Sequence, residues 1–267
     1  MIFILGGKGF VGSAFVRYCE QNNLEHVIIG RDNYAEFVGR HCDIFINANG
    51  NSKKFLAREQ PLAEFDASVR SVRASLVDFA MDYYVHLSSC DVYPDCSSLV
   101  TTREDVALDV ARQSPYGFHK YLAEQCVHHS APRWLIVRMG GFVGPGLKKN
   151  PIFDILSGGV LWLDPDSELQ FLRTDDNARL VFELIHRGVA GEIINVCGQG
   201  VISLREVMSA AGKTVQVKPG SPRMRYDVSI EKLSRRMPVP PTRENVLAFV
   251  ASELRTRRET LVGKRTV

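Results

Sequence analysis

Short apolar runs alternate with amphipathic stretches along the first half of the chain. The wholly apolar run Ile2–Leu5 is bounded by glycine, which is typical of a strand buried on both faces. The next stretch, Phe10–Gln21, has apolar residues three and four positions apart and is predicted to form a helix. The same patterns predict strands at His26–Ile29, Ile44–Asn47, Tyr84–Leu87 and Trp134–Arg138, and helices at Leu62–Tyr83 and Tyr116–His129. This alternation indicates an α/β fold with a doubly wound, parallel, Rossmann-type sheet.

The pattern is less regular after about residue 145. Leu147–Gly159 and Leu204–Ala211 are predicted to be helices and Glu192–Val196 a strand, with proline-rich loops near the end. We expect a single domain over residues 1–267. Residues 1–145 would mainly bind a dinucleotide, and residues 146–267 would mainly form a small C-terminal substrate-binding lobe over the carboxyl edge of the sheet.

Composition narrows the class of protein. The chain of 267 residues is 45% hydrophobic and 24% charged, which is ordinary for a globular enzyme, and its formal charge of +3 gives no reason to expect nucleic acid. The basic run Arg255-Thr256-Arg257-Arg258 is interpreted as a solvated helix end. No apolar stretch is long enough for a membrane span. The six cysteines form no C-x-x-C motif and no metal-ligand spacing, so we expect free thiols, no metal and a reducing, cytoplasmic location.

A glycine-rich turn follows the first strand. Gly6, Gly9 and Gly12 are spaced three apart in a loop that opens the first helix. Missing Cβ atoms let a pyrophosphate approach the backbone, and the helix offers unpaired N–H groups and the positive end of its dipole. We therefore predict dinucleotide binding by Gly6, Gly9, Phe10, Val11 and Gly12.

The end of the second strand bears on the choice of cofactor. An acidic residue there holds the ribose 2′-hydroxyl of NAD, whereas an arginine accommodates the 2′-phosphate of NADP. Here Arg31 comes directly after the strand and Asp32 follows it. We expect NADP, with NAD as the alternative if Arg31 stacks on adenine without discriminating.

Polar side chains with acid–base chemistry follow the fourth predicted strand. Serines stand at its end, at Ser88-Ser89, and Tyr116 and Lys120 lie four apart and share one face of the following helix. An ammonium beside a phenol favours the phenolate and lowers the pKa of the tyrosine. The three groups together predict proton transfer to or from a substrate oxygen.

Several motifs in this order resemble those of the extended short-chain dehydrogenases/reductases of the NAD-dependent epimerase/dehydratase family. The matching segments run from residue 5 to about residue 205. They are the loop of residues 6–12, Asn47-Ala48-Asn49-Gly50, Leu87–Tyr93, Pro115–Lys120, Val137-Arg138, Gly144-Pro145-Gly146, Thr174-Asp175-Asp176 and Ile194-Asn195-Val196.

The resemblance implies roles for particular residues. Ser89 matches the family's catalytic hydroxyl, Tyr116 its catalytic tyrosine, and Lys120 the lysine that lowers the tyrosine pKa and holds the nicotinamide ribose. Asn47, Ala48 and Asn49 match a segment that we expect to contact the cofactor. The resemblance also implies nucleotide-activated sugars as substrates and a homodimer built on the Leu62–Tyr83 and Tyr116–His129 helices.

Three positions depart from the family pattern. Only Arg31–Asp43 separates the second strand from the third, where the family usually fits another strand and helix, and Glu36–Cys42 is predicted to form one helical turn. Cys90 and Asp91 stand where the 4,6-dehydratases carry Asp-Glu, which argues against dehydration. Gly141 replaces an asparagine that contacts the sugar nucleotide in many members.

These departures leave the substrate-binding residues less defined than the fold. Candidate contacts to a substrate or its diphosphate are Cys90, Asp91, Lys53, Lys54, Lys148, Lys149, Arg173, Arg179 and Arg223. A buried cysteine is the simpler interpretation of Cys90.

The sequence thus predicts an NAD(P)-dependent oxidoreductase or epimerase that transfers a hydride at a hydroxyl or ketone carbon of a nucleotide-sugar, with Tyr116 as acid and base. Two alternatives stay open, a reductase of a non-nucleotide metabolite and a non-enzymatic dinucleotide-binding sensor.

Overall fold

A six-stranded parallel sheet forms the centre of the molecule. The computed structural model describes residues 1–51 and 53–263. The strands in chain order are β1 (Ile2–Leu5), β2 (His26–Ile29), β3 (His41–Asn47), β4 (Ala80–Ser89), β5 (Trp134–Met139), β6 (Gly141–Val143), β7 (Glu168–Leu169), β8 (Phe171–Arg173), β9 (Glu192–Val196) and β10 (Ile202–Ser203). The central sheet has the order β2-β1-β3-β4-β5-β9, and every pair in it is parallel. The predicted Rossmann-type α/β class is confirmed.

Helices cover both faces of this sheet. They are α1 (Gly12–Gln21), α2 (Tyr34–Phe37), α3 (Leu56–Glu59), α4 (Pro61–Phe65), α5 (Ser71–Asp78), α6 (Pro115–Ser130), α7 (Pro151–Ser157), α8 (Thr174–His186), α9 (Leu204–Ala211), α10 (Glu231–Ser234) and α11 (Thr242–Gly263). On one face α1 packs on α8, where Tyr18 stacks on Phe182 with ring centroids 4.3 Å apart. On the other face Val72 of α5 and Ala123 and Val127 of α6 lie in one core cluster.

The strand order reverses at β1. The chain passes from β1 to β2 on one side and then returns to β3 on the other, so that Leu5 is paired with both Ile29 and Asn47. In open parallel sheets the crevice outside the carboxyl ends of two such strands is where ligands bind. The fold therefore places the candidate ligand site between the loops that follow β1 and β3.

Several predicted boundaries were wrong. The helix predicted at Leu62–Tyr83 ends at Asp78, because Ala80–Tyr83 pair with β3 as the first part of β4. Within that stretch, Asp66–Arg70 is a π-helical segment between α4 and α5. The helix predicted at Leu147–Gly159 begins only at Pro151, where the Asn150 side chain accepts a hydrogen bond from the Phe153 N–H.

The link between β2 and β3 is as short as the sequence indicates. No strand lies in residues 30–40, all of which are described, and α2 is the one helical turn there. The predicted turn at Glu36–Cys42 was misplaced, since β3 already begins at His41.

A smaller lobe packs beside the sheet. Its core includes Ile155 of α7, Val207 of α9 and Phe249 of α11, together with the short strand pairs β6–β8 and β7–β10. The segment Thr174–Val196 returns to the central sheet as α8 and β9, so the lobe is not one continuous stretch. Of the basic run near the C-terminus, Arg257 donates to the Leu156 carbonyl of this lobe, whereas the Arg258 side chain lies outside the described part.

The first turn of α6 packs tightly on the turn after β4. Ser114 caps the helix by accepting from the Gly117 N–H at 3.0 Å, and Pro115 occupies the first turn. A Cβ added at Gly117 would lie 2.0 Å from the Asp91 carbonyl oxygen. Glycine is therefore required at this point, and the contact sets how closely Tyr116 approaches the end of β4.

We expect Gly117→Ala to lower the free energy of unfolding by about 1–3 kcal/mol, because the methyl group forces two backbone segments apart. This would occur although alanine is the better helix former by about 1 kcal/mol. Gly159→Ala is the control, since its methyl would meet nothing closer than 3.5 Å. Urea unfolding at an unchanged m value measures the difference, and equal stability of the two variants would contradict the packing argument.

Candidate active site

The glycine loop lies against the end of β3. Gly6 has a φ of +81°, and a Cβ there would approach the Ala48 and Asn49 backbone to 3.0 Å. A Cβ at Gly12 would lie 2.3 Å from the Gly6 carbonyl oxygen. Helix α1 starts at Gly12 with no side-chain cap, and although the Ser13 and Ala14 N–H groups donate to the Gly9 and Val11 carbonyls, the positive end of the helix dipole faces this loop. This backbone arrangement fits a dinucleotide pyrophosphate.

Arg31 is exposed two residues after the end of β2, the position at which such sheets contact the adenine ribose of a dinucleotide. The carboxylate of the next residue, Asp32, accepts from the Lys8 ammonium of the glycine loop at 2.8 Å, and this hydrogen bond lowers the pKa of Asp32. The acidic residue is thus already paired within the protein, while Arg31 carries its charge at the surface.

The Asn47 side chain points into the protein. Its amide donates to the Tyr84 hydroxyl at 2.7 Å, and its oxygen accepts from the Asn49 N–H at 3.0 Å. Asn47 is fully buried, whereas Ala48 and Asn49 are partly exposed. Asn47 therefore shapes the turn, and Ala48 and Asn49 are the members of this segment that can contact a ligand.

Ser89 and Tyr116 meet at the carboxyl end of β4. Burial raises the pKa of Tyr116, the Asp91 and Glu64 carboxylates raise it further, and a hydrogen bond with the Ser89 hydroxyl lowers it. The sequence predicted a lowered pKa on account of Lys120. The pKa is raised instead, because burial in low-dielectric surroundings and the two nearby anions outweigh the hydrogen bond with Ser89. The phenol is consequently held neutral.

Asp91 joins the serine to a lysine. Its carboxylate accepts from the Ser89 hydroxyl at 2.9 Å and from the Lys54 ammonium at 2.6 Å. That ammonium also lies 6.0 Å from the centre of the Tyr116 ring. Lys54 and Asp91 thus form an ion pair next to Ser89 and Tyr116. The Lys54 side chain is 61% exposed, and we call the surface around this ion pair the opening of the site.

Lys120 lies below this opening and is only 4% exposed. Its ammonium donates to the Leu87 carbonyl at 3.4 Å and lies 3.5 Å from where a Gly50 Cβ would be. It therefore faces the loop after β3, which borders the dinucleotide crevice. The structure brings Ser89, Tyr116 and Lys120 together at the end of β4.

Cys90 occupies a packing position. Its thiol is fully buried in a cluster with Val92 and Tyr93 and lies 3.6 Å from the Cys197 sulfur, and burial raises its pKa well above the usual value. A thiol without exposed surface cannot contact a substrate, so the expected substrate role of Cys90 is not supported. All six cysteines are free thiols.

The other cationic candidates divide into two groups. Burial lowers the pKa of Lys149, and the neighbouring Lys53 and Lys54 ammonium groups lower it further, which puts these three lysines near the opening. Lys148 is exposed beside Lys149, and Arg173, paired in register with Val143, lies at the base of the same segment. The structure does not bring Arg179 and Arg223 to this opening. Arg179 pairs with Asp176 at 3.5 Å on α8, and Arg223 is a charged neighbour of Asp166, whose main partner is Arg205.

Two buried carboxylates near Lys120 were missed in the sequence. Glu124 follows it by one helical turn and pairs with Arg138 of β5, and Glu64 of α4 accepts from His119 and Ser68. An arginine inside the otherwise apolar strand Trp134–Met139 and a glutamate four residues after Lys120 were the signals that could have identified the first pair.

The family is established by comparison with known proteins. The model of the NAD dependent epimerase/dehydratase family matches residues 2–197. The chain belongs to this family. It is an enzyme of the short-chain dehydrogenase/reductase type, and its cofactor class is a nicotinamide dinucleotide.

Solved structures of low sequence identity share the fold. "MoeE5 in complex with UDP-glucose and NAD" is 16% identical with a TM-score of 0.80 over 97% of this chain and 99% of that chain. "RMD from Pseudomonas aeruginosa complexed with NADPH" is 19% identical with a TM-score of 0.75, covering 95% and 99%. A UDP-galactose 4-epimerase is 17% identical with a TM-score of 0.76, covering 96% and 99%. None of the curated proteins matches the chain.

Two further searches of the described ranges gave negative results. No helix within residues 1–51 and 53–263 combines the length and apolar character needed to cross a bilayer. The same residues contain no group of three or more His, Cys, Asp or Glu side chains placed to hold a metal ion.

His86 is a further titratable group in the wall of the site. It is fully buried on β4, and neither ring nitrogen has a hydrogen-bond partner among the described residues. Burial lowers its pKa well below 6.5, and the Lys120 charge lowers it further. His86 is therefore neutral when folded and takes up a proton on unfolding in mild acid.

We expect His86 to make the protein sensitive to acid. Below about pH 6.5 the unfolded chain binds a proton that the folded chain does not, so this residue lowers the free energy of unfolding by about 1.4 kcal/mol per pH unit. Urea unfolding between pH 7.5 and 5.5 should show a smaller slope for His86→Leu. His41→Gln, at an exposed histidine paired with Asp82, should keep the wild-type slope, and an unchanged slope in His86→Leu would refute the assignment.

Proposed function

We propose that the chain is an NAD(P)-dependent oxidoreductase or epimerase that acts at a hydroxyl or ketone carbon of a nucleotide-linked sugar. The observation that carries this proposal is the meeting of Ser89, Tyr116 and Lys120 beside the loop after β3, against which the glycine loop packs. A bound nicotinamide supplies hydride transfer. The Ser89 hydroxyl orients the substrate oxygen, and the Tyr116 phenol exchanges a proton with it.

The protonated Tyr116 phenol fits the role of proton donor in the reduction of a ketone. A phenol whose pKa is raised by burial and by Asp91 stays protonated at neutral pH. A protonated phenol can donate to the alkoxide that develops when a ketone is reduced. The buried Lys120 ammonium adds a positive charge beside the crevice, where it can bind ribose hydroxyls.

The lysines at the opening support an anionic substrate. Burial lowers the pKa of Lys149, and the Lys53 and Lys54 charges lower it further, so these three lysines together form a site for a negatively charged group such as a diphosphate. Asp91 holds Lys54 at the edge of this site. Two solved structures of the same fold contain UDP-sugars, which agrees with this substrate class.

We also propose separate roles for the two parts of the chain. We infer one domain over residues 1–267, in which the lobe built around α7, α9 and α11 binds the nucleotide part of the substrate. Its position beside the 144–149 segment supports this, because β6 leads directly into that segment and pairs with β8 of the lobe.

We further propose a homodimer through the face formed by α4, α5 and α6. Leu62 is 80% exposed and Val77 is 66% exposed on this face, and Phe65 lies beside them. Side chains of this size leave apolar area in water unless a partner covers it. A second copy of the chain would bury them in a self-complementary contact.

Tyr116→Phe tests the proposed chemistry. Thermal-shift screening of nucleotide sugars in the presence of NADPH first identifies a substrate, because a ligand that binds the folded state raises its apparent stability. With that substrate we expect Tyr116→Phe to lose about 10²–10⁴-fold in kcat while binding the cofactor as the wild type does. Tyr121→Phe, on the same helix, is the control.

Turnover by Tyr116→Phe at the wild-type rate would refute the assignment of Tyr116. A function that survives without turnover in Tyr116→Phe would instead support the dinucleotide-binding sensor. Stabilisation by phosphate-free ketones and not by nucleotide sugars would favour the reductase of a non-nucleotide metabolite.

Arg31→Ala tests the cofactor. We propose NADP, because Arg31 is exposed at the strand tip while Lys8 occupies Asp32. Loss of a charged hydrogen bond to the 2′-phosphate should weaken NADPH binding by about tenfold or more and leave NADH binding unchanged. Fluorescence titration of both cofactors measures the ratio. Arg40→Ala, at an arginine that stacks on Phe37 in the same link, should alter neither, and equal weakening of both cofactors in Arg31→Ala would favour NAD.

A further inference from the structure

Glu124 is a buried carboxylate one helical turn beyond Lys120. The two residues share a face of α6, and Glu124 has no exposed surface. One of its oxygens accepts from the Ser88 hydroxyl at 2.6 Å. Since Ser88 precedes Ser89 in β4 and Lys120 precedes Glu124 by one helical turn, Glu124 lies close to two of the three groups in the candidate active site, Ser89 and Lys120.

The partner of Glu124 is a guanidinium that keeps its charge. Arg138, 2% exposed, donates through two nitrogens to the carboxylate at 2.8–3.3 Å and lies over the Tyr93 ring. Arginine is not deprotonated at any working pH. Glu64, the other carboxylate near Lys120, accepts instead from the His119 ring and the Ser68 hydroxyl. Of these two anions, Glu124 is the one that is paired with a guanidinium.

The protonation of Lys120 depends on such an anion. Burial lowers its pKa, and the charges that raise it are Glu124 first, then Glu64 and Asp91. From β4 the Leu87 carbonyl accepts from its ammonium, and the neutral His86 lies in the same wall. Tyr116 is the remaining titratable group on this face of α6. An ammonium buried to this extent loses its proton easily unless an opposite charge is fixed close by.

We propose that Glu124, locked by Arg138 and Ser88 one helical turn beyond Lys120, is a positioning residue that keeps Lys120 protonated in the cofactor crevice. The inference rests on the proposed function, in which Lys120 binds the cofactor. Glu124 itself touches neither cofactor nor substrate, and it acts through the lysine.

Cofactor affinity as a function of pH tests this without a substrate. In the wild type, the Kd for NADPH should weaken as pH rises through the range in which Lys120 loses its proton. In Glu124→Gln the weakening should begin at a pH lower by about one unit. Lys120→Met should bind NADPH weakly at every pH, without this pH-dependent step in the Kd. Titration of tryptophan or NADPH fluorescence between pH 6 and 10 measures all three.

Two controls keep the test decisive. Glu104→Gln removes a half-buried carboxylate, one that accepts from the Asn195 N–H, and should leave the step at the wild-type pH. Should Glu124→Gln fail to fold with Arg138 unpaired, the double variant Glu124→Gln, Arg138→Met removes both charges and should shift the step in the same direction by a smaller amount, because no unpaired guanidinium is left to repel Lys120.

The outcomes separate the two proposals. A step that disappears in Lys120→Met but lies at the wild-type pH in Glu124→Gln and in the double variant overturns the role of Glu124 and leaves the proposed function standing. A wild-type step that persists in Lys120→Met shows that Lys120 does not bind the cofactor, and it overturns that part of the proposed function together with the inference.

Discussion

The contact between the first turn of α6 and the Asp91 carbonyl is the constraint on which the candidate site depends. Glycine at position 117 lets a helix and a strand end approach to a distance that any side chain would prevent. That approach brings Tyr116 to the hydroxyl of Ser89 and carries Lys120 under the loop after β3. The topology of the sheet then supplies the crevice, because β1 and β3 end side by side where the strand order reverses.

Buried charges occupy the space beneath this arrangement. Removing one partner of such a pair costs about 3–5 kcal/mol, because the other charge stays in a low-dielectric interior. Arg138 of the Glu124–Arg138 pair lies over the Tyr93 ring, and the Tyr93 hydroxyl donates to the side-chain oxygen of Asn195. The Asn195 amide in turn donates to the Thr102 and Ser229 carbonyls. The network therefore ties the end of β4 and the strands β5 and β9 to the segment at Ser229.

Local signals made the parallel sheet and the glycine loop predictable, since apolar runs and glycine spacing are read within a few residues. The family resemblance located Ser89, Tyr116 and Lys120. Two kinds of feature could not be predicted from local sequence patterns. The boundary at Ala80 depends on pairing with β3, forty residues away, and not on the helical periodicity that runs through Phe79. The raised pKa of Tyr116 depends first on its burial and then on Asp91 and Glu64, and no local pattern shows how segments distant in the chain enclose the phenol.

The short link between β2 and β3 has a consequence for the catalytic cycle. With only α2 between the two strands, few residues can close over the adenine half of a dinucleotide, and Arg31 stands there largely in solvent. A loosely enclosed adenine leaves quickly. Rapid exchange suits a reductase, which must release oxidised cofactor and take up a reduced one in each cycle, and it is a disadvantage for an epimerase, which returns the hydride to the molecule that gave it.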